Sequence, residues 1–322
     1  MFEYTDKAKK LLSDQLNDWQ LAAKNYSELK NVQVREFDFE GFQIKVQFNP
    51  ARIVSSAAKV DKQSIEARKC FLCEANRPAE QQQVEFGEYL VLVNPFPIFP
   101  KHFTVPVAGH VPQQISGRFE DMLNLAEALS DFTVFYNGPK CGASAPDHFH
   151  FQAGKKGFMP LEAEITCLKE TKGIKISDYL VESWAVKDGI RNFIFIESAD
   201  KTALTEYLNM LYRSLDLFNK SRDEEPMVNI LAGFENGKWQ IFVFPRFAHR
   251  PWQYFEEGEK NILLSPASVD LGGVLITPLQ KDFSKITKDD IADIFHQILW
   301  SDDKFDLLLK SLTEWKNSPL FS

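Results

Sequence analysis

The sequence predicts an α+β protein, in which helices and antiparallel hairpins are interspersed without the regular alternation of a βαβ fold. One hairpin comprises residues 32–40 and 42–48, where apolar and polar side chains alternate as in strands with one buried face. A second hairpin comprises residues 228–232 and 239–244, and an Asn-Gly pair marks its turn. The order of strand, helix and hairpin occurs twice, which indicates two halves, each an antiparallel sheet flanked by helices.

The first half begins with a predicted amphipathic helix over residues 6–30, because apolar side chains such as Leu11, Leu12 and Leu16 recur at helical spacing. Residues 49–69 are polar and are expected to form a loop. A buried strand, a short strand, a helix and a further strand are then predicted over residues 89–93, 103–105, 119–129 and 132–136. We place the end of this half at residue 165, so that the first half is residues 1–165.

The second half is predicted to follow an irregular linker at residues 166–190, where no clear period is visible. Residues 191–322 then form this half. Besides the hairpin described above, it is expected to contain a strand, a helix, a strand and two helices over residues 192–196, 202–218, 274–277, 289–300 and 304–315.

The composition narrows the class of ligand. The chain of 322 residues carries a net charge of −8, which argues against a broad binding surface for nucleic acid or an anionic membrane. A small anionic ligand is compatible with this charge, because one local basic pocket is enough to bind it. The sequence shows neither a signal peptide nor an apolar run of membrane-spanning length. We therefore expect a cytoplasmic protein with no nucleic-acid or membrane partner.

The most informative segment is residues 137–152, which ends in His-Phe-His-Phe-Gln. Side chains alternate in an extended strand, so His148, His150 and Gln152 share one face while the two phenylalanines anchor the other. Just upstream, Gly142 and Ser144 lie in a turn-rich run that can present backbone N–H groups to phosphate. A nucleophilic imidazole beside a phosphate pocket predicts nucleotidyl transfer.

A Cys-x-x-Cys pair, Cys70 and Cys73, can hold one tetrahedral metal ion such as zinc. In a chain without a secretion signal, such a pair indicates metal or redox chemistry and not a disulfide framework. The alternatives to a metal site are a redox pair and two buried thiols, of which redox chemistry is disfavoured because no thioredoxin-like βαβ context surrounds the pair. A zinc ion needs two more ligands, for which the candidates are His102, His110 and His148. Such a site would be structural and would hold the histidine strand in place.

These motifs together resemble the histidine-triad superfamily. The resemblance is strongest to its transferase branch, which contains galactose-1-phosphate uridylyltransferase, diadenosine tetraphosphate phosphorylase and the GDP-hexose phosphorylases. Residues 70–73 resemble the zinc knuckle of the uridylyltransferases, residues 142–144 resemble the dinucleoside phosphorylases, and residues 148–152 resemble the GDP-hexose phosphorylases. The resemblance implies two histidine-triad-like halves, of which the first is catalytic and the second degenerate.

The resemblance also implies roles for individual residues. His150 would be the nucleophile that attacks an α-phosphorus, Gln152 would hydrogen-bond the phosphoryl group, and Ser144 would hold phosphate oxygens. The residues expected to contact the substrate are Asn137, Gly142, Ala143, Asn94, Arg52 and Arg246.

The zinc ligands implied by the resemblance are Cys70, Cys73, His110 and His148. His110 is preferred to His102 as the fourth ligand, because the superfamily usually has a residue that does not bind zinc at the position of His102.

The expected function is therefore transfer of a nucleoside monophosphate from a nucleotide-sugar or dinucleoside polyphosphate to phosphate or a sugar phosphate. Gln152 cannot donate a proton to a leaving group, so acceptors other than water are expected, as in the superfamily's transferases. The alternative is a zinc-stabilised nucleotide-binding protein without turnover. The dimeric habit of the uridylyltransferases favours a homodimer, and no residue in the sequence identifies the base.

Overall fold

The computed structural model describes residues 3–53, 57, 60–219 and 224–314, and its centre is one antiparallel sheet of ten strands. These strands are numbered β3 to β12 in chain order; the order across the sheet is β3-β4-β5-β7-β6-β11-β12-β10-β9-β8. Their bounds are Gln83–Phe86, Tyr89–Val93, His102–Pro106, Phe132–Asn137, His150–Lys155, Gly173–Asp178, Glu182–Lys187, Asn192–Ser198, Val228–Glu235 and Lys238–Pro245.

A smaller sheet of three strands packs beside it. Its strands are β1 (Gln33–Phe39), β2 (Phe42–Phe48) and β13 (Val274–Thr277). The predicted hairpin of β1 and β2 is antiparallel, and β13 adds to β2 in parallel. Residues from the two ends of the chain therefore share this sheet.

The helices α1 to α10 lie on both faces of the strands. Their bounds are Glu3–Asp18, Gln20–Glu28, Lys62–Glu66, Phe119–Ala128, Pro160–Thr171, Lys201–Leu217, Ser268–Leu271, Gln280–Lys285, Lys288–Ile298 and Asp302–Glu314. Among the described residues, no helix combines the length and apolar character needed to cross a bilayer.

The ten-stranded sheet consists of two equivalent halves. Strands β3, β4, β5, β7 and β6 follow one another across the first half, and β8, β9, β10, β12 and β11 follow the same order in the second. In each half, one helix (α4 or α6) connects the third strand to the final hairpin. The innermost strands pair with Asn137 opposite Asn229, so the two half-sheets join edge to edge. The predicted α+β class with two similar halves is confirmed.

The predicted irregular linker at residues 166–190 is wrong in its secondary structure. This segment contains the end of α5 and strands β8 and β9, which are the two outermost strands of the second half. The reason is that β8 is a solvent-exposed edge strand whose pairing with β9 shifts register between Lys175 and Ser177. A bulge of this kind interrupts the alternation by which a strand is recognised in a sequence.

Two other element predictions need correction. The predicted helix over residues 6–30 is two helices, because Trp19 is in an extended conformation and is buried between them. The predicted loop at residues 49–69 includes the short helix α3, whose first turn is capped by Asp61 accepting from the backbone N–H of Ser64.

The alternation of side chains along β7 places the histidine strand between two cores. Phe149 and Phe151 are fully buried in the core that α1, α4 and α6 cover. The opposite face of the sheet packs on β2, β13 and α5 and includes Phe135. His150 and Gln152 lie on this second face, at the end where the two halves of the sheet meet.

Candidate active site and metal centre

The predicted catalytic residues line one cavity of about 810 Å³ in the described part of the chain. His150, Gln152 and Ser144 all contribute to its wall. Of the predicted substrate contacts, those that also line it are Asn137, Gly142, Ala143, Asn94 and Arg52. The structure therefore brings together residues that are separated by up to a hundred positions in the sequence.

The imidazole of His150 is held in one tautomer. Its Nδ1 lies 2.9 Å from the carbonyl oxygen of His148. A carbonyl can only accept, so Nδ1 carries the hydrogen and Nε2 keeps its lone pair. Burial lowers the pKa of His150 to about 4, although the hydrogen bond to His148 opposes this. A neutral imidazole with an available Nε2 is the form that can act as a nucleophile.

Gln113 holds the backbone next to His150, a role that no motif in the sequence indicated. Its Oε1 accepts from the backbone N–H of His150 at 2.8 Å, and its Nε2 donates to the carbonyl oxygens of His150 and Asn137. The side chain is fully buried and fastens the start of β7 to the end of β6. Its position in an irregular segment between β5 and α4 gave no signal in the sequence.

The loop between β6 and β7 is built against the second half of the chain. Asn137 Oδ1 accepts from the backbone N–H of Ser268 and from Asn229 Nδ2, both at 2.9 Å. Asn229 also donates to the carbonyl oxygen of Cys141 at 2.8 Å. The second half therefore shapes the loop that carries Gly142 and Ser144.

Gly142 satisfies two constraints at once. Its φ is +94°, and a Cβ at this position would lie 2.6 Å from the Cβ of Ala267. Only glycine adopts such a φ without strain, and only glycine leaves room for the neighbouring chain.

We expect Gly142→Ala to destabilise the protein by about 1–3 kcal/mol and to reduce any turnover, because the loop must move away from residue 267. Gly117→Ala is the matched control, since Gly117 has a φ of +78° but nothing within 4 Å of a Cβ. Urea unfolding of both variants measures the difference. Equal losses would show that the φ alone matters and that contact with Ala267 does not.

Behind this loop lies a buried acid with an unusual pKa. Glu225 accepts from the hydroxyl of Tyr136 and from the backbone N–H of Ile115. Burial raises the pKa of Glu225 to about 7, against the opposing effect of these two hydrogen bonds.

A raised pKa means that the folded state binds the proton more tightly than the unfolded state, in which the pKa is about 4.3. The free energy of unfolding should therefore fall as the pH rises from about 4.3 to 7, by up to about 3 kcal/mol from this group. Glu225→Gln should remove this part of the pH dependence. Urea unfolding at pH 5 and pH 8 tests the prediction, which fails if the two proteins lose the same stability between these values.

Arg246 does not line the cavity, although the sequence analysis expected it to contact substrate. Its side chain is 2% exposed and donates to Asn229 Oδ1 at 2.5 Å and to the carbonyl oxygen of Pro266 at 3.0 Å. It also donates to the carbonyl oxygens of Ala248 and His249. These partners occupy the N–H donors of the guanidinium, because a buried cation needs hydrogen-bond acceptors within the protein. Arg246 therefore supports the cavity wall from behind.

Other cationic side chains do reach the cavity. Arg250 lines it, as does Arg68 from the segment before the cysteine pair. His249 lines it too, but burial and the neighbouring Arg250 lower the pKa of His249 to about 4, so this imidazole is neutral near pH 7. Arg52 donates to the carbonyl oxygen of Phe96 at 2.8 Å, while its Nε has no hydrogen-bond partner among the described residues. The cavity thus combines a neutral imidazole with several cationic groups, as an anionic substrate requires.

The four predicted metal ligands come together beside the cavity. Their ligand atoms all lie within 4.8 Å of one another, and the members are Cys70, Cys73, His110 and His148. Cys70 Sγ is 3.3 Å from His148 Nδ1, and Cys73 Sγ is 3.2 Å from His110 Nδ1. Tetrahedral zinc bonds of about 2.3 Å to sulfur and about 2.0 Å to nitrogen give ligand separations of about 3.5 Å. The donor set therefore fits zinc.

The tautomer of His148 also fits a metal ligand. Its Nε2 is 2.8 Å from the carbonyl oxygen of Val107, so Nε2 carries the hydrogen and Nδ1 faces the thiols. Asn76 Nδ2 donates to the carbonyl oxygen of Cys70 at 2.9 Å and closes the turn of the cysteine pair. His102, the competing candidate, lies elsewhere and contacts Gln152. The preference for His110 over His102 therefore agrees with the geometry.

Two protein families match this chain, one in each half of the sequence. Residues 11–155 match the family described as a domain of unknown function, DUF4922, and residues 163–317 match the family described as a GDPGP1-like, C-terminal domain. No curated protein matches the sequence significantly.

Among solved structures, the fold is similar to that of yeast Ap4A phosphorylase Apa2. Its complex with Ap4A superposes with a TM-score of 0.61 at 18% identity, over 93% of this chain and 99% of that chain. Its complex with AMP gives a TM-score of 0.58 at 17% identity, again over 93% of this chain and 99% of that chain. The C-terminal match and the shared fold confirm the resemblance of this chain to the transferase branch of the histidine-triad superfamily.

Proposed function

We propose that the protein is a nucleotidyltransferase or phosphorylase that acts through a covalent nucleotidyl-His150 intermediate. The observation that carries this proposal is the buried, neutral imidazole of His150, whose Nδ1 is bonded to the carbonyl oxygen of His148 while Nε2 remains available at the cavity. Such a group can attack phosphorus without first losing a proton.

The reaction we propose has two displacements. In the first, the lone pair of His150 Nε2 forms a bond to the α-phosphorus, and the bond from that phosphorus to the bridging oxygen breaks. The departing sugar phosphate or nucleotide keeps the electron pair. In the second, an oxygen of phosphate or a sugar phosphate attacks the same phosphorus and releases the imidazole. Splitting the transfer in this way lets the donor leave before the acceptor binds.

The surrounding residues have proposed roles in both steps. Ser144 and the backbone N–H groups of Gly142 and Ala143 would hold the phosphoryl oxygens, together with the carboxamide of Gln152. Donors arranged around these oxygens stabilise the charge that develops on them in the transition state. Arg52 and Asn94 line the cavity and would contact the remainder of the donor. The acceptor would be bound by the cationic side chains of Arg68 and Arg250, with the neutral imidazole of His249 beside them.

We further propose that Cys70, Cys73, His110 and His148 hold a structural zinc ion. When bound, zinc would fasten the cysteine turn to the segment that leads into β7. His148 supplies both a ligand and the carbonyl oxygen that orients His150, so the site would hold the nucleophile in position.

The class of donor is proposed from the similarity of fold. The yeast enzyme is named as an Ap4A phosphorylase and has been crystallised with Ap4A and with AMP, which favours dinucleoside polyphosphates as candidates. UDP-sugars and GDP-hexoses remain in the test panel, because the sequence motifs resemble the enzymes that use them. The division into a catalytic half at residues 1–165 and a degenerate second half is supported by the repeated strand order.

Intact-mass spectrometry after incubation with UDP-sugars, GDP-sugars and dinucleoside polyphosphates tests the proposal. The wild-type protein should gain the mass of one nucleoside monophosphate with one class of donor, and that mass identifies the base. His150→Ala should gain none. Equilibrium binding of the same compounds provides the second readout: tight binding without adduct or turnover in the wild type would overturn the proposal in favour of a nucleotide-binding protein without catalysis.

A further inference from the structure

Gln152 has two chemically different ends, and the structure determines which one faces the cavity. The two ends of a carboxamide have nearly the same shape, so the orientation depends on the hydrogen-bond partners. The partner of Gln152 is His102, whose Nε2 lies 3.0 Å from Gln152 Oε1. The hydrogen on His102 therefore determines the orientation of Gln152.

The tautomer of His102 follows from its other neighbour. The backbone N–H of Ile98 donates to His102 Nδ1 at 3.2 Å. Because an N–H can only donate, Nδ1 must be the unprotonated nitrogen. A neutral imidazole then carries its hydrogen on Nε2 and donates it towards Gln152. Only the oxygen of the carboxamide can accept this hydrogen, so the NH₂ group is left for other partners.

The imidazole is also kept neutral and rigid. His102 is fully buried, with its ring between Phe99 and Phe135 at centroid distances of 5.2 and 6.0 Å. Burial and the positive charge of Arg52 lower the pKa of His102 to about 3. The hydroxyl of Tyr26 donates to the backbone carbonyl oxygen of His102 at 2.9 Å and fastens it to α2.

We propose that His102 is a positioning residue that directs the NH₂ group of Gln152 into the cavity, where it donates to an oxygen of the transferred phosphoryl group. The proposal rests on the function proposed above for the role of that donor. It assigns His102, which the sequence analysis considered only as a competing zinc ligand, to the nucleotidyl-transfer site. Without the hydrogen on His102 Nε2, the carboxamide could turn its oxygen towards the phosphoryl group. The partial negative charge on this oxygen would then repel the negatively charged phosphoryl oxygens.

Two reciprocal substitutions separate this role from packing. His102→Gln keeps an N–H donor near the position of Nε2, whereas His102→Asn keeps an acceptor near the position of Nδ1 and loses the donor. Each variant breaks one of the two hydrogen bonds of the His102 side chain, so similar losses of stability are expected. We expect kcat to fall by about 10–100-fold in His102→Asn, with little change in KM, and His102→Gln to stay within a few-fold of the wild type.

A double-mutant cycle distinguishes positioning of Gln152 from a purely structural role of His102. In a Gln152→Ala background, His102→Asn should cause no further loss of kcat, because there is no carboxamide left to orient. The same additional loss in both backgrounds, or equal losses in the two His102 variants, would overturn the proposal.

A measurement without substrate keeps the proposal testable if no donor is turned over. Long-range ¹H–¹⁵N NMR spectra of histidine-labelled protein should show His102 as the neutral Nε2–H tautomer from pH 5 to pH 8. An Nδ1–H tautomer, or protonation of the ring within this range, would overturn the positioning role even if the protein proves to be a nucleotidyltransferase. The expected tautomer together with absent turnover would contradict the proposed function alone.

Discussion

His150→Asn is expected to reduce kcat by on the order of 10³-fold or more, whichever donor the protein uses. Asparagine can place its NH₂ group near the position of Nδ1 and preserve the hydrogen bond to the carbonyl oxygen of His148. It removes Nε2, which is the only part of the side chain that the proposed reaction uses. The loss should therefore appear in kcat, while the KM for the donor and the melting temperature change little.

The control for this experiment is His296→Asn. His296 lies on α9, where its Nε2 contacts the carbonyl oxygen of Gly189, and it does not line the cavity. The kcat of His296→Asn should equal that of the wild type, whereas the kcat of His150→Asn should be lower by on the order of 10³-fold. Retention of a tenth or more of the wild-type kcat in His150→Asn would show that the reaction proceeds by direct attack of the acceptor and not through a histidine intermediate.

The second large effect is expected at the metal site. Cys70→Ser should lower the melting temperature by more than about 10 °C and release the metal, because a structural zinc site contributes its binding free energy to folding. Turnover should fall with it, since the site holds His148, and His148 orients His150. Elemental analysis by mass spectrometry of the purified wild-type protein should give one zinc per chain.

Cys167→Ser is the matched control, because Cys167 is an exposed thiol on α5 that is outside the candidate metal cluster. It should keep the metal, the melting temperature and the activity of the wild type. Treatment of the wild type with a chelator should reproduce the effect of Cys70→Ser. A protein that is purified without metal and melts at the same temperature as Cys70→Ser would contradict the structural role of zinc.

The histidine motif could be interpreted from the sequence because its residues are close together. The alternation of a strand places His150 and Gln152 on one face of β7, as predicted. His148 precedes this strand and belongs to the candidate metal cluster, so the predicted strand was two residues too long at its start. The same holds for Cys70 and Cys73, whose spacing indicates metal or redox chemistry. Local geometry of this kind does not depend on the rest of the fold.

Arg246 and Gln113 show where such reasoning ends. Arg246 lies next to His249 and Arg250, which line the cavity. Only the packed structure shows that its guanidinium donates instead to Asn229 and to backbone carbonyl groups. Gln113 has no motif, because its role is to connect the backbone of β6 with that of β7. Both roles depend on partners that are distant in the sequence.

The sequence by itself indicated the α+β class, grouped Cys70 with Cys73, and placed His150 and Gln152 on one face of a strand. Each of these depends on periodicity or spacing within a short segment, which the covalent chain already specifies. Only the tertiary structure decided that the half-sheets join at Asn137 and Asn229, that the second half supports the loop that carries Gly142 and Ser144, and that His102 contacts Gln152 and not the candidate metal cluster. These are contacts between segments far apart in the chain, and a hydrogen-bond partner or a tautomer is defined only once such segments are packed together.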